Sequence, residues 1–84
     1  MKRGYLVSGT DPCWGVPIVA RDAKGAKRMA WDSWKDELNC EWIELKVNWK
    51  REARVENLPY GVVENELIAI ECGFFNYKVE GKVI

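Results

Sequence analysis

Over residues 22–38 the apolar positions recur at steps of three and four. Ala23, Ala26, Ala30, Trp34 and Leu38 fall on one stripe. Alanine and leucine, both strong helix formers, hold four of those five positions, and alanine is small enough to let a helix lie close to a sheet. Asp22 stands before the stripe as an N-cap, its carboxylate placed to accept from the free amides of the first turn. Asn39 stands after it as a stop, because asparagine tolerates the left-handed conformation. The pattern predicts a helix over 22–38, with Gly25 in its first turn as a weakness of about 1 kcal/mol relative to alanine.

Elsewhere the period is two. Tyr5, Leu6 and Val7 between Gly4 and Gly9 predict a short strand over Arg3–Ser8. Ser8 to Pro12 is turn chemistry, and Val16–Ala20 predicts a second strand, so the first two strands form an antiparallel hairpin that runs into the helix. Beyond the helix, residues 40–49 alternate most clearly. Ile43, Leu45, Val47 and Trp49 share an inner face, while Trp42, Glu44, Lys46, Asn48 and Lys50 share an outer one. That strand is expected to be central, and whether it continues through 51–55 is left open by the charges there. Leu58-Pro59-Tyr60-Gly61 reads as a turn and 62–72 as a short helix with Val63, Leu67 and Ile70 inward and Gly73 as its C′ residue. Residues 74–80 read as the last strand, with Glu80-Gly81 turning the chain so that 82–84 can pair. The expectation is a single α+β domain over 1–84. Its small antiparallel sheet has about four strands, two helices cover one face, and the order is ββαβαβ.

Composition narrows the chemistry. Eighty-four residues, 48% hydrophobic with five tryptophans, suit one folded domain near the lower limit for a self-sufficient core. Thirteen basic and thirteen acidic side chains cancel, and the two halves of the chain differ only mildly in charge. No global field therefore steers the molecule to nucleic acid or membrane. No stretch approaches a membrane span, and the N-terminus is too polar for a signal peptide. Cys13, Cys40 and Cys72 form no closely spaced pair, so a reduced, cytoplasmic protein without a disulfide framework or metal site is expected. The absence of histidine removes the commonest general base and metal ligand together. Without an activated nucleophile, an acid–base pair or a metal, neither an enzyme nor a cofactor is expected.

The tryptophans carry more information. Trp34 and Trp49 belong to predicted core faces, whereas Trp14, Trp31 and Trp42 do not. Trp31 stands on the helix flank among Lys24, Arg28 and Lys35, with Lys27 close by. Exposed tryptophan supplies large contact area at low entropic cost, so Lys24, Arg28, Trp31, Lys35, Trp14 and Trp42 are the candidate partner-binding residues. The plainer readings are a solvated helix face, in which Asp32 pairs with Arg28 four residues back, and a second sheet face covered by the terminal strand or by a homodimer partner.

Two stretches, PIVARDAKGAKRMAWDSW and LPYGVVENELIAIECGFF, resemble the very small α+β proteins encoded by phages and prophages. The likeness is one of style over most of the chain and assigns no residue a role. It implies stoichiometric binding, as by inhibitors of bacterial defence systems of the anti-CRISPR type, in the host cytoplasm. The leading expectation is thus a non-enzymatic module that binds and blocks a bacterial host protein or complex. The alternative is a small nucleic-acid-binding accessory protein using the basic and aromatic helix face. An enzyme or small-ligand binder ranks third.

Overall fold

A computed structural model of the chain describes residues 1–10 and 15–75, with the backbone of 78–79 and 82–83. β1 (Arg3–Ser8) and β2 (Val16–Ala20) form the expected antiparallel hairpin, in register from Arg3 opposite Ala20 to Val7 opposite Val16. β3 (Lys46–Trp49) pairs with the other edge of β1, and β4 (Gly61–Val62) with the other edge of β2. The result is a four-stranded antiparallel sheet in the order β3-β1-β2-β4, and with two helices the fold is α+β. A separate two-stranded ladder joins β5 (Lys78–Val79) to β6 (Lys82–Val83). The predicted turn at 80–81 lies outside the described residues. The chain order is therefore ββαββαββ, two strands longer than the ββαβαβ expected: β4 is added, and the last strand is paired with β6 within the 82–84 expected to pair.

α1 (Ala23–Leu38) forms where the period predicts. The Asp22 side chain accepts from the Gly25 amide at 2.8 Å, and Asn39 ends the helix at φ 49° with its amide donating to the Lys35 carbonyl. Ala26, Ala30 and Leu38 are buried against Tyr5, Val7, Val16, Ile18 and Ala20, a core closed by Leu45. Ala23 is exposed at the helix's first position, and Trp34 is half-buried where the helix kinks (φ −135°, ψ 16°). A Cβ on Gly9 would stand 2.7 Å from the Leu38 carbonyl oxygen and 2.9 Å from Cys40 Sγ, so only glycine lets the end of β1 pass the end of the helix.

Three expectations change. The segment 40–49 is not one strand and is not central. Glu41 donates its amide to Glu44 Oε1 at 2.8 Å, and the Glu44 amide bonds back to the Glu41 carbonyl. This local capping closes a 3₁₀ turn over Trp42–Glu44 in place of sheet pairing and leaves Ile43 86% exposed. The remaining strand, β3, lies at an edge, where Lys46 and Asn48 reach solvent. The chain does not extend it through 51–55. It turns at 50–53 and places Val55 in a second core.

That second core overturns the expectation of two helices on one face. Val19, Val55, Ala69 and Phe74 pack on the side of the sheet opposite α1. The reason is that β1 and β2 are apolar on both faces. Ile18 and Ala20 point to α1, while Val19 and its partner Gly4 point away. A Cβ on Gly4 would meet Ala53 Cβ at 2.8 Å and the Phe74 ring at 3.1 Å, which shows how closely the second layer sits. α2 (Glu66–Cys72) belongs to this layer and is shorter than the 62–72 expected. The Val63 amide donates to the Pro17 carbonyl and extends the β4 ladder, and Asn65 then caps the helix at the Ile68 amide. The helix buries Ala69 rather than Leu67, which is 70% exposed. Among the described residues no helix is long and apolar enough to cross a membrane.

Candidate binding surface

The helix flank and the 3₁₀ turn meet. Trp31 is half-buried and packs against the margin of the α1 core, so it is more than a free surface residue. Trp42, 37% exposed, stands edge-to-face against it, with ring centroids 5.6 Å apart and planes at 88°. That geometry sets the positive ring edge of one indole against the negative face of the other. Lys27 Nζ lies 4.6 Å from the centre of the Trp42 ring and adds a cation to the same stack. Two tryptophans that the sequence could only call surplus to the core are thus one aromatic step, with exposed Ile43 beside Trp42 in the chain.

The step divides two open hollows. One, of ≈ 340 Å³, is lined by Arg28, Trp31, Asp32 and Trp42. The other, of ≈ 440 Å³, lies between Trp31 and Lys35 on the helix and Cys40, Glu41 and Glu44 beyond it. Arg28 Nε is 3.4 Å from Asp32 Oδ2, the intrahelical pair that the spacing allows. Asp36 joins Glu41 and Glu44 on the second hollow, so Lys27, Arg28 and Lys35 are matched by four carboxylates. The stripe that is basic along the helix is mixed in charge in space.

Of the six predicted residues, Arg28, Trp31, Lys35 and Trp42 come together here. Lys24 is exposed in the first turn of α1 and lines neither hollow. Trp14 lies outside the described residues. Lys27 and Ile43 join the surface. The pattern of Glu41 and Glu44 three residues apart was the local signal that could have turned Ile43 outward.

Trp49 corrects another expectation. It shares the α1 side of the sheet with Tyr5, its partner across the ladder, yet at the edge it is 43% exposed. The Arg3 and Arg51 guanidinium carbons each stand 4.5 Å from its ring centre.

Reactive chemistry is sparse at the surface. Cys40 and Cys72 are unbonded thiols, and Cys13 lies outside the described residues. Burial pushes the Cys40 thiol above its ordinary range, Glu44 and Glu41 add to the effect, and a backbone hydrogen bond at Thr10 opposes it. A thiol held protonated is a poor nucleophile. Among the described residues no group of three or more His, Cys, Asp or Glu side chains could hold a metal ion. Comparison with protein-family models, curated proteins and solved structures finds no match.

Proposed function

We propose that the chain is a non-enzymatic protein-binding module whose contact surface is the Trp31–Trp42 step. The observation that carries this reading is the edge-to-face pair held half out of the core. A partly exposed tryptophan braced by a second ring loses little freedom on binding and offers a large apolar area, the features of an interface hot spot. Ile43 extends the apolar area, and the mixed charges around the two hollows supply a polar rim. Nucleic acid is a poorer fit to this helix flank, because phosphates approaching Arg28 and Lys35 also meet Asp32, Asp36, Glu41 and Glu44. The further step, that the partner is a bacterial host protein or defence complex blocked stoichiometrically in the cytoplasm, comes from the resemblance to phage-encoded inhibitors.

The test is affinity capture from nuclease-treated bacterial lysate with the parent chain and with Trp42→Ala. The reading expects a captured protein that survives nuclease and is lost with the variant while the variant stays folded. Capture abolished by nuclease would favour the nucleic-acid alternative. Self-association of the purified chain, lost in Trp42→Ala, would make the surface a homodimer contact instead.

A further inference from the structure

A second surface lies at the end of the sheet where β1 starts and β2 ends. Because neighbouring strands alternate in direction, four distant parts of the chain arrive side by side there: Lys2 and Arg3 leading β1, Arg21 after β2, Trp49 and Arg51 closing β3, and Tyr60 before β4. The cations are gathered on the aromatics. Arg3 and Arg51 stand at 4.5 Å from the Trp49 ring centre, while Lys2 Nζ and the Arg21 guanidinium lie 5.5 and 5.8 Å from the Tyr60 ring centre. Trp49 and Tyr60 are 43% and 44% exposed. Four strands at about 4.8 Å spacing make this a row of roughly 14 Å.

None of the four cations forms an ion pair with a carboxylate among the described residues, where the pairs are Arg28–Asp32 and Lys50–Glu52. The nearest acids in sequence are otherwise engaged: Asp22 caps α1 and Glu52 faces Lys50. The Arg3 Nε is buried without a hydrogen-bond partner. Lys2 Nζ donates to the Leu58 and Glu56 carbonyls, which leaves Arg3, Arg21 and Arg51 as unpaired like charges in a molecule whose carboxylates equal its cations in number. Arg21 and Arg51, exposed and without a hydrogen-bond partner among the described residues, keep guanidinium N–H donors free for a ligand such as phosphate.

We propose that this end of the sheet binds single-stranded nucleic acid, with phosphates at Arg51, Arg3 and Arg21 and a base against the exposed part of Tyr60. Cations spread over the end of the sheet, Arg3 and Arg51 at Trp49 and Arg21 at Tyr60, fit an extended polyanion better than one isolated phosphate. The exposed Tyr60 ring favours nucleic acid over a purely acidic peptide, because every base offers a face to stack and carboxylate side chains do not. The surface is separate from the Trp31–Trp42 step and stands or falls apart from it.

The test is fluorescence anisotropy with a labelled oligothymidine of about a dozen nucleotides at low salt. Binding is expected. Arg21→Gln with Arg51→Gln, both exposed positions, should weaken it about tenfold or more and flatten the log–log salt slope by about 1.4, two single-strand phosphate contacts. Tyr60→Ala should independently cost about tenfold through lost stacking. Trp42→Ala should leave binding unchanged, and circular dichroism confirms that each variant is folded. The proposal is overturned if the parent chain does not bind at low salt, or if the double variant binds as the parent does. Equal binding of polyglutamate would assign the surface to an acidic protein, and equal binding of a duplex would remove the role of stacking.

Discussion

Tryptophan is used in opposite ways at the two exposed surfaces. Trp42 leans on another indole, has one lysine over its ring, and stands by a surface where four carboxylates face three cations. Trp49 is flanked by two arginines with no carboxylate paired to either among the described residues. The same side chain therefore offers apolar area in one place and holds guanidinium groups in the other. An exposed tryptophan does not by itself name a partner; the charges packed around it do. Overall neutrality conceals this difference, because carboxylates gather near the end of α1 and unpaired cations near its start.

The comparison requires surfaces distinct from the cores beneath them, and the largest expected effect tests that. Phe74 is fully buried in the second core, so Phe74→Ala should cost about 3–5 kcal/mol in stability. Trp42→Ala, by contrast, should cost no more than about 1.5 kcal/mol, chiefly the aromatic contact with Trp31. Chemical denaturation of both variants checks the contrast. A Trp42→Ala loss as large as that of Phe74→Ala would place Trp42 in the core and remove the binding surface.

Binding comes next in size. Trp42→Ala should weaken a captured protein partner by about 2 kcal/mol or more, as hot-spot truncations do. Arg28→Glu should do less, since Arg28 is exposed and already paired with Asp32. Calorimetric titration of the two variants with that partner orders the effects, and the reverse order would make the surface electrostatic rather than apolar.

Trp31 links surface to core and should show an intermediate loss of stability on Trp31→Ala, larger than that of Trp42→Ala. Thermal melting of the pair tests this, and equal melting would mean that Trp31 contributes nothing to packing.

The smallest effect is chemical. The raised Cys40 thiol carries less thiolate near pH 8 than an ordinary cysteine, so its alkylation in the native state should be slower than in the unfolded chain. The rate should climb with pH beyond the range where a free cysteine levels off. Site-resolved mass spectrometry reads this directly, and native labelling as fast as unfolded labelling would contradict the geometry around Glu44.

Local features were the legible ones. The helix over 22–38, its Asp22 cap and its Asn39 stop depend on residues within one or two turns of each other, and all three stand in the structure. Pairing at a distance was less visible. Period two in 40–49 says that a strand can form but not what lies beyond it, so β3 reads as central until the sheet order makes it an edge. The sequence does not reveal the face that α2 covers, because the apolar Val19 looks like part of a continuous run in β2. Only the register opposite Gly4 shows that it faces a second layer. For the surfaces, Arg28, Trp31 and Lys35 share a helix flank and could be grouped by spacing, whereas Trp42 joins them only through the 3₁₀ turn. The row at the end of the sheet was invisible in sequence, since Lys2, Arg21, Arg51 and Tyr60 are brought together by strand pairing alone.

The most direct test of the central claim compares three chains in one capture experiment from nuclease-treated bacterial lysate: the parent, Trp42→Ala, and Arg21→Gln with Arg51→Gln. If the Trp31–Trp42 step is a protein-binding surface, the parent and the arginine variant retain the same protein and Trp42→Ala loses it while keeping its native circular dichroism. Retention of that protein by folded Trp42→Ala, or its loss with the arginine variant alone, would contradict the account.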